Sequence, residues 1–301
     1  MKRSIVIILL SAIFIGCGSS SNTSSNVQNP HAVPHQQMHN ELIQEEINKS
    51  LKDVTTPVEE SSIKTVYSDH PKAAYSNDKW NKGISFYAVG NEPSWLLNIS
   101  RNNTAEFKVL DGQEYSKNIV SKLASIDPKS TSYRGVVDQG EIIIHLVEEK
   151  CMDSMADEDF SFKVTVDLKL KGEKSFTSYN GCGDYVPDPR LHGKWMVVKA
   201  DTLVITKDQF ERKLPEINID IYEEKVSGND GCNGFNGGVK IRENEIIFGM
   251  MASTMMACPN MDISSVITSS FVNKKLNFKF NNQLVFLEGE KEVLLLKRAD
   301  N

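Results

Sequence analysis

The segment Leu214-Pro-Glu-Ile-Asn-Ile-Asp-Ile-Tyr222 is followed closely by Val226-Ser-Gly-Asn-Asp-Gly-Cys-Asn-Gly-Phe-Asn-Gly-Gly238. The first segment alternates apolar and polar residues, which predicts a half-buried β-strand. The second is rich in Gly and Asn, and their freedom to adopt positive φ predicts a bulged hairpin between strands. A phosphate-binding loop is the other interpretation, but the Gly-Lys-Ser/Thr ending that such a loop requires is missing. Together the two segments predict antiparallel β-structure.

The rest of the C-terminal part adds short strands and one helix. Strand-like segments lie at Ile246–Met250, Leu276–Phe280, Leu284–Leu287 and Val293–Leu296. A helix is predicted from Asp262, whose side chain suits an N-cap. The apolar residues spaced to form one buried stripe on this helix are Ile263, Val266, Ile267 and Phe271. We therefore expect a mainly β domain with one packed α-helix.

Two blocks of this region match a known family. They are the turn Gly231-Cys232-Asn233-Gly234-Phe235 and the block Thr254-Met255-Met256-Ala257-Cys258-Pro259, together with Trp195 and Gly228. With the helix that follows, residues 191–298 resemble the META domain, the HslJ-like family of heat-shock lipoproteins, and we assign residues 188–301 to this domain. The resemblance implies a compact, antiparallel barrel-like fold and a link to envelope stress, drug resistance or secretion, without an established catalytic activity. Family members often place a Glu early in the final helix, where this chain has Ser264-Ser265-Val266.

Residues 80–187 form a second region of short strands. Alternating segments lie at 83–90, 95–100, 105–110, 119–126, 133–137, 141–147, 160–170 and 175–179. Turn residues separate them, such as Arg101-Asn102-Asn103 and Asp111-Gly112. The regular spacing predicts a meander or a small antiparallel barrel. The fold class is therefore mainly β, with two barrel-like domains.

Three short motifs mark this first domain. They are Gly90-Asn91-Glu92-Pro93-Ser94-Trp95, Cys151-Met152-Asp153-Ser154-Met155 and Gly181-Cys182-Gly183. They resemble the signatures of a family of bacterial envelope lipoprotein domains whose activity is not characterised. The resemblance implies an architecture and no chemistry.

The chain has five cysteines, an odd number that needs an explanation in an exported protein. In an oxidising compartment, Cys151 and Cys182 are the natural disulfide pair of the first domain. Closing a loop of about 30 residues contributes about 3–4 kcal/mol in the chain-entropy model. We expect Cys232 and Cys258 to be bridged in the second domain, which leaves Cys17.

The N-terminal sequence predicts a separate role for Cys17, the cysteine left without a disulfide partner. Lys2 and Arg3 precede the apolar stretch Ile5–Ile15, which is too short to span a bilayer as a helix. A short apolar stretch after positive charges is typical of a secretory signal peptide, which we assign to residues 1–16. Phe14-Ile15-Gly16-Cys17 resembles the lipobox of bacterial lipoproteins, although Phe14 stands where Leu is usual. The resemblance implies cleavage before Cys17, acylation of that residue by palmitate-like chains and anchoring in a lipid bilayer. Gly18 is not the Asp that signals inner-membrane retention in enteric bacteria, which favours the outer membrane.

Residues 17–79 are predicted to be the lipidated cysteine and a disordered linker, because Ser, Asn, Gln, Glu and Pro dominate and few aromatics occur. A short helix is one interpretation of Met38–Leu51. His31, His35 and His39 recur at intervals of four, but Pro34 breaks the helical geometry that would align them as metal ligands. A solvated linker is the favoured interpretation.

The remaining chemistry-bearing residues predict no catalytic site and no cofactor. Glu92, Asp153, Ser154 and His145 are the acid–base or nucleophilic candidates of the first domain, and their spacing is not that of a triad. We expect Glu92 to close a turn and Asp153-Ser154 to bond nearby amides. The second domain carries five methionines, which are either soft ligands for Cu(I) or fillers of core gaps: Met250, Met251, Met255, Met256 and Met261. We favour the core interpretation and predict no metal site.

Composition excludes one class of partner. The chain has 34 basic and 40 acidic side chains, a formal charge of −6, which argues against nucleic-acid binding.

The favoured hypothesis is a non-enzymatic envelope lipoprotein that acts in stress tolerance or antibiotic resistance. An alternative is a module that binds or inhibits a periplasmic or external protein such as a basic lysozyme. An enzyme with an unrecognised site is disfavoured, and an exposed pocket that pairs His145 or His192 with a carboxylate of shifted pKa would revive it.

Overall fold

The computed structural model describes residues 70–109, 113–125, 127–137, 140–153 and 158–299. The predicted signal peptide, Cys17, the tether histidines, the predicted helix at Met38–Leu51, the Asp111-Gly112 turn and Ser154 lie outside the described residues. Within the described part the fold is mainly β, as predicted. No described helix is long and apolar enough to cross a membrane.

The first domain is a closed barrel of eight antiparallel strands in sequential order, in which the first strand also pairs with the last. The strands are β1 (Ile84–Gly90), β2 (Trp95–Ser100), β3 (Thr104–Val109), β4 (Gln113–Leu123), β5 (Ser130–Val137), β6 (Gly140–Asp153), β7 (Glu158–Leu170) and β8 (Thr177–Tyr185). The predicted meander is therefore confirmed. Alternate side chains point inward and fill the barrel, among them Phe86, Leu97, Phe107, Ile144 and Val166.

Two strands extend well past their predicted ends. Strand β6 continues beyond Val147 to Asp153, and β8 continues beyond Tyr179 to Tyr185. Alternation stops in β6 because its pairing with β7 shifts between Glu148 and Cys151, an irregularity that breaks the period of two. These extensions carry Cys151 and Cys182 to the same end of the barrel.

The second domain is a curled antiparallel sheet with a packed helix. Its strands are β9 (Gly193–Ala200), β10 (Leu203–Val204), β11 (Glu216–Asp220), β12 (Lys225–Asn229), β13 (Gly234–Arg242), β14 (Glu245–Ser253), β15 (Lys275–Phe280), β16 (Leu284–Glu288) and β17 (Lys291–Arg298). The sheet curls until β17 pairs with β9. Short 3-10 helices lie at Pro189–Leu191 and Lys207–Gln209.

The helix of this domain spans Met261–Ser269 and is called α2 below. Its N-cap is Asn260, so the predicted cap at Asp262 is wrong. The reason is that the Asn260 carbonyl already accepts the amide of Ser264, which places Asp262 inside the first turn. The predicted apolar stripe is confirmed, because Ile267 and Phe271 are fully buried and the other two members pack against the core.

A further helix, Ala73–Asn81, occupies the end of the predicted linker and is called α1 below. Residue 79, the expected end of the linker, lies inside it. The helix has a polar sequence, so tertiary contacts stabilise it rather than a strong apolar face. Ala73 is buried in the core of the second domain, and the Lys79 ammonium lies over the Tyr87 ring of the first, 4.4 Å from its centroid.

Candidate functional site

The turn between β12 and β13 is built around a buried carboxylate. Asp230 accepts hydrogen bonds at Oδ1 from the amides of Cys232, at 2.8 Å, and Asn233, at 2.6 Å. Gly231 has a φ of +93°, and a Cβ there would lie 2.1 Å from Cε1 of Phe210. Only glycine therefore fits the position. The predicted hairpin is present, but Gly231 is the only described residue of the Gly-rich segment 228–238 with positive φ, so the expectation that its glycines generally supply it is wrong.

The Asn233 side chain joins this turn to the second motif block. Its Oδ1 accepts the amide of Met256 at 2.7 Å and the hydroxyl of Thr254 at 3.0 Å. The Thr254 hydroxyl in turn accepts the amide of Gly234 at 3.1 Å. Side-chain acceptors thus satisfy backbone donors that no strand partner reaches.

A disulfide and a helix residue complete the bracing. Cys232 and Cys258 are bonded, with their Cα atoms 5.8 Å apart, so the predicted bridge is confirmed. The buried Ser264 hydroxyl on α2 donates to the carbonyl of Asp230 at 3.1 Å. META-domain sequences often have a Glu in this part of the helix; in this chain the Ser264 hydroxyl instead supports the turn through its bond to Asp230. We call the two segments 230–234 and 253–259 the motif end.

The methionines beside the motif end are mostly in solvent. Met255 is 98% exposed and Met250 is 85% exposed, and Met256 and Met261 are also exposed. Only Met251 packs against the core, so the core-filling prediction is wrong for the other four. Met255 and Met256 point outward because their loop is held through its backbone and its disulfide. Met250 faces solvent because the pairing of β13 with β14 shifts between Gly237 and Val239, which turns Met251 toward the core instead. Copper binding by these thioethers, the alternative that the sequence did not favour, is not tested by these contacts.

A groove of about 860 Å³ runs along the motif end. Its walls include Arg212, Lys213, Gly228, Asn229, Ser253 and Met256. Within the described residues, no group of three or more His, Cys, Asp or Glu side chains is placed to hold a metal ion.

The end of β13 that lies away from the motif end, and the turn after it, contact the first barrel. Glu148 of β6 pairs with Arg242 at 2.5 Å and with Lys240 at 2.9 Å. Partial burial alone would raise the pKa of Glu148, but hydrogen bonds and positive charge from Arg242 and Lys240 outweigh it and lower the pKa to about 2. The Tyr133 hydroxyl donates to Glu243 at 3.3 Å, and burial raises the pKa of this phenol. Strand β13 thus joins the interdomain contact to the motif end.

Helix α1 and the segment before it form a second contact between the domains. The His70 ring stacks on Tyr222, with centroids 4.8 Å apart, and its Nε2 lies 3.3 Å from Oε1 of Glu223. His192 lies on the same tyrosine, with ring centroids 5.0 Å apart. Burial lowers the pKa of His192; the Asp220 carboxylate opposes this, whereas the charge of Arg298 and the neighbouring His70 add to it.

The three motifs of the first domain meet at one end of its barrel. The Asn91 amide donates to Asp153 at 2.6 Å, and the Trp95 indole donates to the carbonyl of Asn180 at 3.3 Å. A Cβ on Gly90 would lie 2.1 Å from the Trp95 indole nitrogen, so the ring needs a glycine beside it. Cys151 and Cys182 are bonded, which confirms the second predicted bridge. Glu92 lies in a turn, as predicted.

His145 does not approach the predicted candidates Asp153 and Glu92. It lies on the barrel exterior, where Nδ1 is 2.9 Å from the hydroxyl of Ser132 and Nε2 is 3.6 Å from Asp167. Cross-strand register brings these residues together, since Ser132 faces His145 on β6. The backbone amides of this row belong to strands paired on both sides, so they are committed to the sheet rather than to an oxyanion hole. The row contains one hydrogen bond, between Ser132 and His145, and one longer contact, to Asp167, and the sequence spacing does not predict it.

These features define a two-domain antiparallel β protein in which a disulfide braces one end of each barrel. The sequence model of the META domain matches residues 189–301, the second domain and less than half of the chain. META domains occur in envelope-associated proteins, which is compatible with a non-enzymatic envelope role. Comparisons with curated proteins and with solved structures found no match.

Proposed function

We propose that this protein is a non-enzymatic envelope lipoprotein, anchored in the outer membrane through acylated Cys17, that acts in envelope stress tolerance or antibiotic resistance. The META match and the lipobox resemblance support the place of action. The bracing role of the motif residues supports the absence of catalysis.

That bracing is the observation that carries the proposal. A catalytic polar group must be available to a substrate, either directly or through one water. Oδ1 of Asp230, Oδ1 of Asn233 and the hydroxyl of Thr254 are instead engaged by backbone amides of the motif end. The motif therefore shapes and stiffens a surface, which is what a binding or structural protein needs.

A deletion strain tests the role. We expect loss of the gene to lower survival under envelope stress or antibiotic challenge, and the wild-type gene to restore it. A gene encoding Asn233→Ala should restore survival less well than one encoding Asn281→Ala, because Asn281 is exposed in the same domain, does not line the groove and makes none of these bonds. Equal survival of the deletion and parent strains under every stress would contradict the proposal.

Fractionation tests the anchor separately. The wild-type chain should partition with membranes, and the Cys17→Ala chain should be released as a soluble protein or retained as its precursor. If the wild-type and Cys17→Ala chains both fractionate as mature soluble protein, the anchor is wrong.

Inhibition of a basic lysozyme is a second candidate function, and the net charge of −6 favours it. The test is a pull-down of the purified chain against basic muramidases at low salt. We expect binding that weakens as salt increases; no binding at low salt would exclude this function.

A further inference from the structure

The side chains outside the braced loop carry an inference about a partner. Four exposed methionines, Met250, Met255, Met256 and Met261, lie within twelve residues of sequence and are called the methionine surface below. Met256 also lines the groove of the motif end, so this surface borders a concave site, and exposed apolar side chains beside such a site mark interactions more often than scattered ones do. Thioether chains are flexible and polarizable, so they adapt to apolar side chains of a partner.

The backbone beneath this surface is already ordered. Asn233 accepts the Met256 amide, and the Cys232–Cys258 bridge closes the loop behind it. A partner therefore has little loop entropy to remove when it binds. The first barrel leaves the surface open, because it contacts β13 near Lys240 and Arg242, at the far end of that strand.

The charged side chains of the neighbouring groove indicate the charge of the partner. Arg212 and Lys213 line the groove, and in the described part of the chain neither forms an ion pair. The carboxylate of Glu216, which also lines it, is engaged by Lys194 at 3.6 Å. Glu211 precedes the two cations but does not line the groove. The groove therefore favours an anionic group.

An open strand edge indicates the shape of the partner. Strand β14 pairs with β13 as far as Ser253, but it pairs with β15 only over Glu245–Ile247. Among the described strands, none pairs with Met250–Ser253 on its other side. An extended peptide uses such an edge through its main chain, and a lipid headgroup or a free anion does not.

We propose that the methionine surface and the adjoining groove bind an extended, acidic protein segment that also carries apolar side chains. Its carboxylates meet Arg212 and Lys213, and its apolar residues cover the methionines. This proposal rests on the non-enzymatic role proposed above and names the class of partner for that role.

The test uses a phage library of random twelve-residue peptides, selected on the full mature chain in mild detergent. We expect selected peptides to be rich in Asp, Glu and apolar residues. The double variants Arg212→Gln/Lys213→Gln and Met250→Gln/Met255→Gln should each weaken their binding about tenfold. All four side chains are exposed, so the variants should melt at the wild-type temperature.

The matched control is Met152→Gln/Lys171→Gln, which removes an exposed methionine and an exposed lysine from the first barrel and should leave binding unchanged. Three results overturn the proposal: no enriched peptides, basic peptides, or binding that survives both test variants. Phosphatidylglycerol vesicles that bind through the same side chains, in the absence of peptide binding, also overturn it in favour of a membrane contact.

Failure here is distinguishable from failure of the proposed function. A deletion phenotype without peptide binding contradicts only the partner class. Peptide binding without any deletion phenotype contradicts only the envelope-stress role.

Discussion

A few polar side chains hold the motif end together by replacing strand partners. Asp230 and Asn233 each accept two hydrogen bonds from neighbouring chain, and these bonds order segments that leave the sheet. A buried or half-buried amide left without an acceptor costs more than the bond itself is worth. The polar side chains of Asp230 and Asn233 therefore serve to order the two segments of the motif end.

Asn233→Ala should lower the free energy of unfolding by about 1–3 kcal/mol, because the Met256 amide and the Thr254 hydroxyl lose their acceptor. Urea unfolding measures the change. Asn236→Ala should change stability by less than about 0.5 kcal/mol, as an exposed substitution does. Equal effects of the two substitutions would contradict the bracing role of Asn233.

The lowered pKa of His192 predicts a pH dependence. Below about pH 6.5 the unfolded chain binds a proton at this residue that the folded chain resists. The unfolded state then holds more protons, so the free energy of unfolding should fall as pH decreases from about 7 to about 5. Replacing His192 by Gln should flatten that slope, as measured by urea midpoints across the range.

The control for His192 is His145→Gln, since His145 lies on the exterior of the first barrel. This substitution should flatten the slope less than His192→Gln does. An unchanged slope in His192→Gln would show that its burial is not maintained in solution.

Close packing of two strands, rather than turn geometry, explains why one position of the Gly-rich segment needs a glycine. A Cβ on Gly228 of β12 would lie 2.0 Å from the carbonyl oxygen of Glu216 on β11. On Gly238 of β13 the nearest atom would be 4.0 Å away, at the Glu224 carbonyl. The two glycines belong to one hairpin, yet only the first is required by packing.

Gly228→Ala should therefore destabilise the second domain by about 1–3 kcal/mol or prevent its folding, because strands must separate to admit the methyl group. Gly238→Ala should keep or slightly raise the melting temperature, since Ala costs less conformational entropy than Gly. Differential scanning calorimetry compares them. A larger loss in Gly238→Ala would contradict this assignment.

The contact between the two domains is polar and depends on a few charges. Glu148 forms ion pairs with Arg242 and Lys240, and the Tyr133 hydroxyl donates to Glu243. These contacts attach one hairpin of the second domain to strands β5 and β6 of the first barrel. Because the pKa of Glu148 is about 2, its carboxylate is ionised throughout the neutral range. Ionic contacts of this kind orient domains more than they stabilise them.

Glu148→Gln should loosen this contact and reduce stability by about 1–3 kcal/mol, because two cations lose a charged acceptor. Small-angle scattering should show a broader distribution of distances, and proteolysis between the domains should be faster. Glu149→Gln is the matched control, since Glu149 pairs with Lys163 within the first barrel. A compact Glu148→Gln chain with wild-type proteolysis would contradict the role of this pair.

Local sequence patterns suffice to predict the β-class of both domains, the sequential barrel and both disulfides. Period-two alternation and turn residues are local signals, and two cysteines in each small domain leave one pairing within it. The sequence also marked the motif residues, such as Asn233 and Thr254, but without their partners.

The contacts of those residues, and the exposure of the side chains around them, depend on how distant segments pack in three dimensions. The row of Ser132, His145 and Asp167 depends on strand register, and helix α1 depends on contacts with both domains. Because methionine is apolar and fills irregular gaps, its residue type alone predicts a place in the core. The exposure of Met255 and Met256 follows from a loop held by its backbone and disulfide, and that of Met250 from the shifted pairing of β13 with β14; no local pattern contains either constraint.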